Sequence, residues 1–451
     1  MWFIAEKLQT ELTFCGLRRL LYLVTPNETT FTTVEAVPDY FDQANSWFAL
    51  LIIIEFIVLR FGYGRTDSYK LNDTVTSMCA GILSQIAKIG ARFAVLSVYK
   101  YIHAHWKLVD LASDSALPWF LCFLTQDLAF YIGHRATHEI GILWGFHQMH
   151  HSSERFNLST ALRQAALQDS FLVWFDAVQV LFFPAPIVVA HRFLNTIFQF
   201  WIHTELIDNL GVLELVLNTP SHHRVHHGRN PYCLDKNYAA VLIIWDRLFG
   251  TFQAEDPERP PVYGLVDNVK SFNQLYCQFF EFKYFAWDKP STMTTVKDKL
   301  RAIFFPPGWF PGFQIKWRLF WFPDKDPTQG VPEVESPVQF HDPPISGTRQ
   351  WCAFLHFPFL LAVHAYYVAY REQSSSLENL LLAAEMIYQM QCLGALFDDR
   401  WYAGWLELSR LLLVALVVST NNCFLLAYQP LFYAYMLLCS FVFYLCFCSK
   451  S

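Results

Sequence analysis

The chain of 451 residues is 54% apolar and 16% charged, where ordinary soluble domains carry about a quarter charged residues. A net charge of -6 gives no electrostatic footprint for a nucleic-acid partner. Eleven cysteines are scattered without a CxxC pair, which argues against a disulfide framework and for reduced thiols in apolar surroundings.

These features predict an all-α, polytopic integral membrane protein. Residues 1–115 form the N-terminal segment and first membrane helices. Lys7 is followed by polar residues, so no cleavable signal peptide is expected. A first span is expected over 47–59, "WFALLIIIEFIVL", with Glu55 inside it. Residues 77–101 carry Lys88 and Arg92 and can span, re-enter or lie at the interface. A clear span over 116–133 opens a catalytic core at 116–253 and runs straight into His134. Two apolar stretches, 171–180 and 185–201, are broken at "FFPAP" and suggest a hairpin dipping into the bilayer. Residues 254–349 hold 13 of the 22 prolines and read as an extramembrane linker. Residues 350–451 supply C-terminal transmembrane helices at about 351–370, 378–396, 405–419 and 424–447. Six acidic and three basic residues precede position 46, and Arg60, Arg65 and Lys70 follow the first span. The positive-inside rule then places the N-terminus, with sequon Asn27, outside the cytosol.

Eleven of the 16 histidines fall between His134 and His227. His134 and His138 are an i, i+4 pair. His147, His150, His151 and His223, His226, His227 are i, i+3, i+4 triples. On helices such offsets gather side chains on one face and can present paired nitrogens to a metal. Eight imidazoles exceed one ion's needs, so two metals are expected, and His203 in "WIHTE" is a ninth candidate ligand. Imidazole suits several transition metals. A redox pair at a membrane face suits dioxygen activation against a C–H bond, which favours iron. Asp127 shares a helical face with His134 and His138, and Glu139 adjoins His138. Both carboxylates are candidates for orienting an imidazole or handling protons. Glu154 and His222 are lesser candidates of the same kind.

The set HxxxH, HxxHH, HxxHH resembles the fatty acid hydroxylase superfamily of integral membrane di-iron enzymes, which includes sterol desaturases. "HQMHHSSERFNLSTALRQ", "QFWIHTE", "NTPSHHRVHHGRNPYCLDKNYA" and "WDRLFGTF" resemble its ether-lipid-cleaving branch, through about residues 40–260. All eight motif histidines match, while Phe156 stands where a tyrosine is expected. The resemblance implies two iron ions, tetrahydrobiopterin as reductant and dioxygen as co-substrate. It implies hydroxylation of the carbon next to the ether oxygen in alkylglycerols and lyso-alkylglycerophospholipids, with release of a fatty aldehyde and a glycerol derivative. It further implies an endoplasmic reticulum membrane location, served by pterin-recycling and aldehyde-oxidising enzymes, while the charge pattern puts the active site on the cytosolic side if residues 77–101 and 116–133 both span. Trp144, Phe156 and Trp245 are candidates to stack on the pterin. One alternative is a sterol or fatty-acyl hydroxylase or desaturase drawing electrons from cytochrome b5. Another is a histidine-rich metal transporter, which would place ionisable groups near the bilayer midplane rather than at span ends.

Overall fold

The computed structural model describes residues 11–109, 111, 115–312 and 331–420. Among them there is no strand, only isolated bridges such as Leu217–Leu242, so the architecture is all-α as expected. Helix α1 (Tyr40–Ile57) starts where Asp39 accepts from the Asp42 amide, and it runs into a wide turn at Val58–Gly62. Helix α2 (Leu71–Trp106) has two parts, Leu71–Ile89 and Ala94–Trp106, inclined at 48°. Lys88, awkward for a span, is neutralised there by Asp169 at 2.7 Å. The Arg92 side chain lies outside the described residues.

Helix α3 (Ala116–Glu139) continues past the expected span end at 133 and carries His134 and His138 on its last two turns. Helices α4 (Gly141–His151), α5 (Asp169–Ala177) and α6 (Ala185–Phe198) pack on α3 or on its flanks. The hairpin expectation needs amending. At 14 residues α6 rises about 21 Å, short of the roughly 30 Å hydrocarbon core, and most of its side chains are buried against protein. Helix α7 (Pro220–His227) begins with proline at its first position and carries the third histidine group.

The proline-rich stretch 254–349 is more than a connector. Helices α8 (Gln274–Lys283) and α9 (Val296–Phe304) fold back onto α4. Gly145 of α4 lets them in, because a Cβ there would sit 2.7 Å from the Phe282 Cα. Further on, Arg229 meets Glu335 at 2.7 Å, and Glu154 accepts from the His341 amide at 2.7 Å. The chain closes with α10 (Gly347–Tyr370), α11 (Ser376–Phe397) and α12 (Ala403–Thr420). Ser375 and Glu378 form a capping box that starts α11. The expected span at 424–447 lies outside the described residues.

Among the described residues, four stretches are long and apolar enough to cross a membrane: Val34–Gly62, α3, α10 and α11. The bent α2 makes a fifth if its two parts form one span. The protein is a multi-pass membrane protein. One apolar cluster joins α1, α2, α5 and α6 around the histidine helices, and a second joins α2 to α10 and α11.

Candidate metal centre

The nine candidate ligands converge from four places in the chain. The end of α3 supplies His134 and His138, and α4 supplies His147, His150 and His151. His203 follows α6, and α7 supplies His223, His226 and His227. All are buried and they form two groups: His134, His138, His147, His151 and His226, then His150, His203, His223 and His227. Each HxxHH triple is therefore divided. Its i, i+4 pair enters one group and its middle histidine enters the other.

Within each group the ligand nitrogens lie within 4.8 Å of one another. The Nε2 of His147 is 3.1 Å from the Nε2 of His134 and 3.1 Å from that of His151. The Nε2 of His203 is 2.9 Å from that of His223 and 3.3 Å from that of His150. Ligands about 2.1 Å from a common ion stand roughly 3.0 Å apart at right angles and 4.2 Å apart when opposed.

The tautomers sharpen the case. A carbonyl oxygen only accepts, so the Nδ1 of His134, 2.8 Å from the Tyr238 carbonyl, must donate. The Nδ1 of His147 likewise donates to the side-chain carbonyl of Gln168 at 2.8 Å. Both Nε2 atoms then carry lone pairs that face each other at 3.1 Å, a repulsion that a shared cation removes. His203, His150 and His226 point Nδ1 at the carbonyls of Gln199, Arg163 and Lys236 in the same way. The buried Nε2 atoms of His138 and His226 have no hydrogen-bond partner. Burial also keeps imidazoles outside the spans neutral. It holds His147, His150, His151, His223, His226 and His227 well below the usual value and His203 at about 3. The donor set fits two transition-metal ions. Five imidazoles in the first group exceed the four that tetrahedral zinc takes.

The orienting groups are thus largely main-chain carbonyls, and the expected carboxylate roles need correction. Asp127 touches no imidazole. Its Oδ1 accepts from the Val241 amide and Asn195 Nδ2 at 3.0 and 2.8 Å. Its Oδ2 accepts from the Leu242 amide and Trp245 Nε1, both at 2.9 Å. Asp127 therefore holds the turn whose Tyr238 carbonyl orients His134. Asp246 finishes that turn by accepting from the amides of Tyr238 and Ala239, and burial pushes its pKa up to about 6. Glu139 is engaged by Arg135 at 2.9 Å. Trp245 is tied to Asp127, away from the imidazoles, whereas Trp144 lies 5.2 Å from His138 and Phe156 stacks on His203 and Tyr263. Glu154 caps the His341 amide, and His222 lies 3.8 Å from Glu214.

Two positioning residues went unread in the sequence. Glu55, buried in α1, accepts from the Leu158 amide at 2.7 Å and from the hydroxyls of Tyr69 and Thr204, pinning the turn behind His203. An acid inside an apolar span was the available signal. Arg224, between the histidines of α7, forks onto Glu255 and donates to the carbonyls of Thr204, Ile207 and Asp208. It locks α7 to the His203 turn.

A cavity reaches both groups, touching His134, His147, His150 and His203, with Phe48, Phe130, Leu172 and Phe200 among its walls. Polar residues, among them Gln126, Gln164 and Asn195, make up much of the rest of its lining.

Comparison with known proteins agrees with this architecture. The fatty acid hydroxylase family pattern matches residues 119–251. The chain is 44% identical to the alkylglycerol monooxygenase of Caenorhabditis elegans, over 90% of this chain and 82% of that one. It is 42% identical to that of Danio rerio over 89% and 87%, and 40% identical to that of Homo sapiens over 88% and 86%. No solved structure matches the chain. Sequence identity over nearly the whole length, together with the convergent histidines, places this protein in the alkylglycerol monooxygenase family of fatty acid hydroxylase-type oxidoreductases.

Proposed function

We propose that this protein is a di-iron, tetrahydrobiopterin-dependent monooxygenase that hydroxylates the alkyl carbon next to the ether oxygen of alkylglycerols and lyso-alkylglycerophospholipids. The observation that carries the reading is the pair of inward-facing imidazole groups beside a cavity whose walls include Phe48, Phe130, Leu172 and Phe200. The names of the relatives support the lipid class.

The nine histidines would hold the ions, the group of five one ion and the group of four the other. Two such irons supply dioxygen activation, with two electrons from the pterin. One oxygen atom goes into the C–H bond and the other leaves as water with two protons. The hemiacetal product then separates into a fatty aldehyde and a glycerol derivative. The chain's own part is positional. Neutral imidazoles offer lone pairs, and carbonyls of Tyr238, Arg163, Gln199 and Lys236 fix the ring tautomers. Phe48, Phe130 and Phe200 exclude water from the tail. The ether oxygen makes the adjacent C–H bond the weakest along that tail, so placement there sets regiochemistry.

In this reading the protein resides in the endoplasmic reticulum membrane with the centre facing the cytosol, where pterin is made and recycled and aldehyde is oxidised. Residues 1–115 anchor, 116–253 catalyse, 254–349 brace α4, and 350–451 form a C-terminal membrane unit.

The test is metal content of purified protein alongside turnover of a 1-O-alkylglycerol. We expect close to two irons per chain and fatty aldehyde formed only when tetrahydrobiopterin is added. Turnover that ignores the pterin but follows cytochrome b5 would move the protein to the sterol and fatty-acyl oxidases. Full turnover by iron-free protein would defeat the metal assignment.

A further inference from the structure

The cavity that touches the histidines is not apolar throughout. Its lining also includes Lys88 from α2, Asp169 and Asp176 from α5, and Arg192 from α6. Lys88 Nζ lies 2.7 Å from Asp169 Oδ2, while the other oxygen, Oδ1, is 3.9 Å from Arg192, beyond hydrogen-bond reach. Arg192 and Asp176 are bound to each other, and Gln126 donates to Asp176 at 2.7 Å. The deeper pair is thus engaged on several sides. The Lys88–Asp169 pair is not: both side chains are about a third exposed, and each keeps hydrogen-bonding capacity toward the cavity. Lys88 is steadied by the Phe41 ring, 5.4 Å away.

The position along the chain is informative. Gln168 orients the ligand His147, and the next residue, Asp169, belongs to the charged lining. A polar seat therefore lies one residue from the group that orients His147, in a cavity whose other walls include Phe48, Phe130, Leu172 and Phe200. In an alkylglycerol the two hydroxyl oxygens are four and five bonds from the carbon to be attacked. A hydroxyl seat close to the metals is what attack at that carbon requires.

We propose that Lys88 and Asp169 form the seat for the vicinal diol of the glycerol headgroup, Asp169 accepting from one hydroxyl and Lys88 donating to the other. Arg192 and Asp176 hold the seat rigid from behind. Two acids and two bases cancel, so the seat suits neutral hydroxyls: it takes both hydroxyls of an alkylglycerol, whereas a lyso-alkylglycerophospholipid offers it only its one free hydroxyl and binds there through fewer hydrogen bonds. The seat also sets regiochemistry, because anchoring the diol fixes which carbon of the tail reaches the metals. This rests on the ether-lipid reading above and adds the residues that recognise the headgroup.

The test uses full-length protein in membranes, Asp169→Asn and Lys88→Gln, and two ethers of equal chain length. One is a 1-O-alkylglycerol and the other an alkyl ethyl ether without hydroxyls. Losing a hydrogen bond to a charged group should raise KM for the alkylglycerol about 10- to 100-fold, with kcat held within about threefold. Equilibrium binding of labelled alkylglycerol, measured without oxygen or pterin, should weaken in parallel, while handling of the ethyl ether stays unchanged. An equal loss on both ethers would mean a structural role and overturn the seat, as would unchanged binding in both variants. A rise in KM for the pterin instead of the lipid would reassign the seat to the diol side chain of tetrahydrobiopterin. If Asp169→Asn is lost from the membrane, Lys88→Gln decides by the same ratio. Wild-type protein that neither binds nor cleaves alkylglycerol would sink the ether-lipid reading itself, a result distinct from failure of the seat alone.

Discussion

Replacing Asp127 by Asn tests whether this carboxylate serves the chemistry or the scaffold. Asp127 is fully buried and each oxygen accepts two hydrogen bonds, from the amides of Val241 and Leu242, from Trp245 and from Asn195. An asparagine keeps one acceptor oxygen. Whichever way the amide turns, its NH2 group faces two donors. Hydrogen bonds to a charged group contribute about 1.5–3 kcal/mol each, so two losses amount to about 3–6 kcal/mol. Removing a buried charge returns part of this, leaving a net cost of about 2–4 kcal/mol. That is a sizeable share of a stability of roughly 5–15 kcal/mol. The turn at 238–246 loosens and the Tyr238 carbonyl drifts from His134. We expect a lower thermal midpoint in detergent, iron lost on purification, and activity falling in step with iron. A variant with the wild-type melting curve and full iron but a reduced rate would refute the scaffold argument and return Asp127 to the chemistry.

Alanine at any of His134, His138, His147, His150, His151, His203, His223, His226 or His227 should abolish aldehyde formation; near-normal rates with intact iron in two or more variants would refute the ligand set. Glu55→Gln leaves one acceptor oxygen for three donors and should weaken metal retention about 10- to 100-fold under chelator challenge; retention matching wild type would remove Glu55 from the support of His203. Acid should destabilise the metal-free protein. His203 has a folded pKa of about 3 against roughly 6.5 when unfolded, so its contribution is complete above the upper value and declines below it by about 1.4 kcal/mol per pH unit until the lower one is reached. The other depressed imidazoles add in the same sense, and melts of chelator-treated protein that stay level from about pH 7.5 to pH 5 would contradict this. For topology, any glycan should sit on exposed Asn27 and not on Asn72, whose side chain is buried and donates to Asp342 at 2.9 Å. A glycan on Asn72 in microsomes would invert the orientation.

The positions of the candidate ligands were legible because an i, i+4 pair on a helix is a local geometric fact, visible without knowing what the helix packs against. The division of each HxxHH triple was not, since which group His150 and His226 join depends on His203 and on the end of α3, which lie elsewhere in the chain. The hydrogen bonds that set ring tautomers were illegible for a different reason. Carbonyls of Tyr238, Arg163 and Lys236 belong to every residue type alike and leave no trace in a sequence. Asp127 shows the opposite error: helical spacing put it on the face of His134, but four donors outside that helix claimed it. The segment 254–349 misled through its prolines, which mark breaks and do not reveal that the pieces between them fold back onto α4.

If the two histidine groups take iron as proposed, their shared helices bear on how the protein acquires it. Because α4 and α7 each donate to both groups, an ion entering one group orders residues of the other and lowers the entropy left to lose there. Titration with ferrous iron should therefore be sigmoidal, with a Hill coefficient above one. A cell short of iron would hold a mixture of empty and fully loaded molecules. Half-filled centres, which could reduce dioxygen without a partner ion to complete the reaction, would stay scarce.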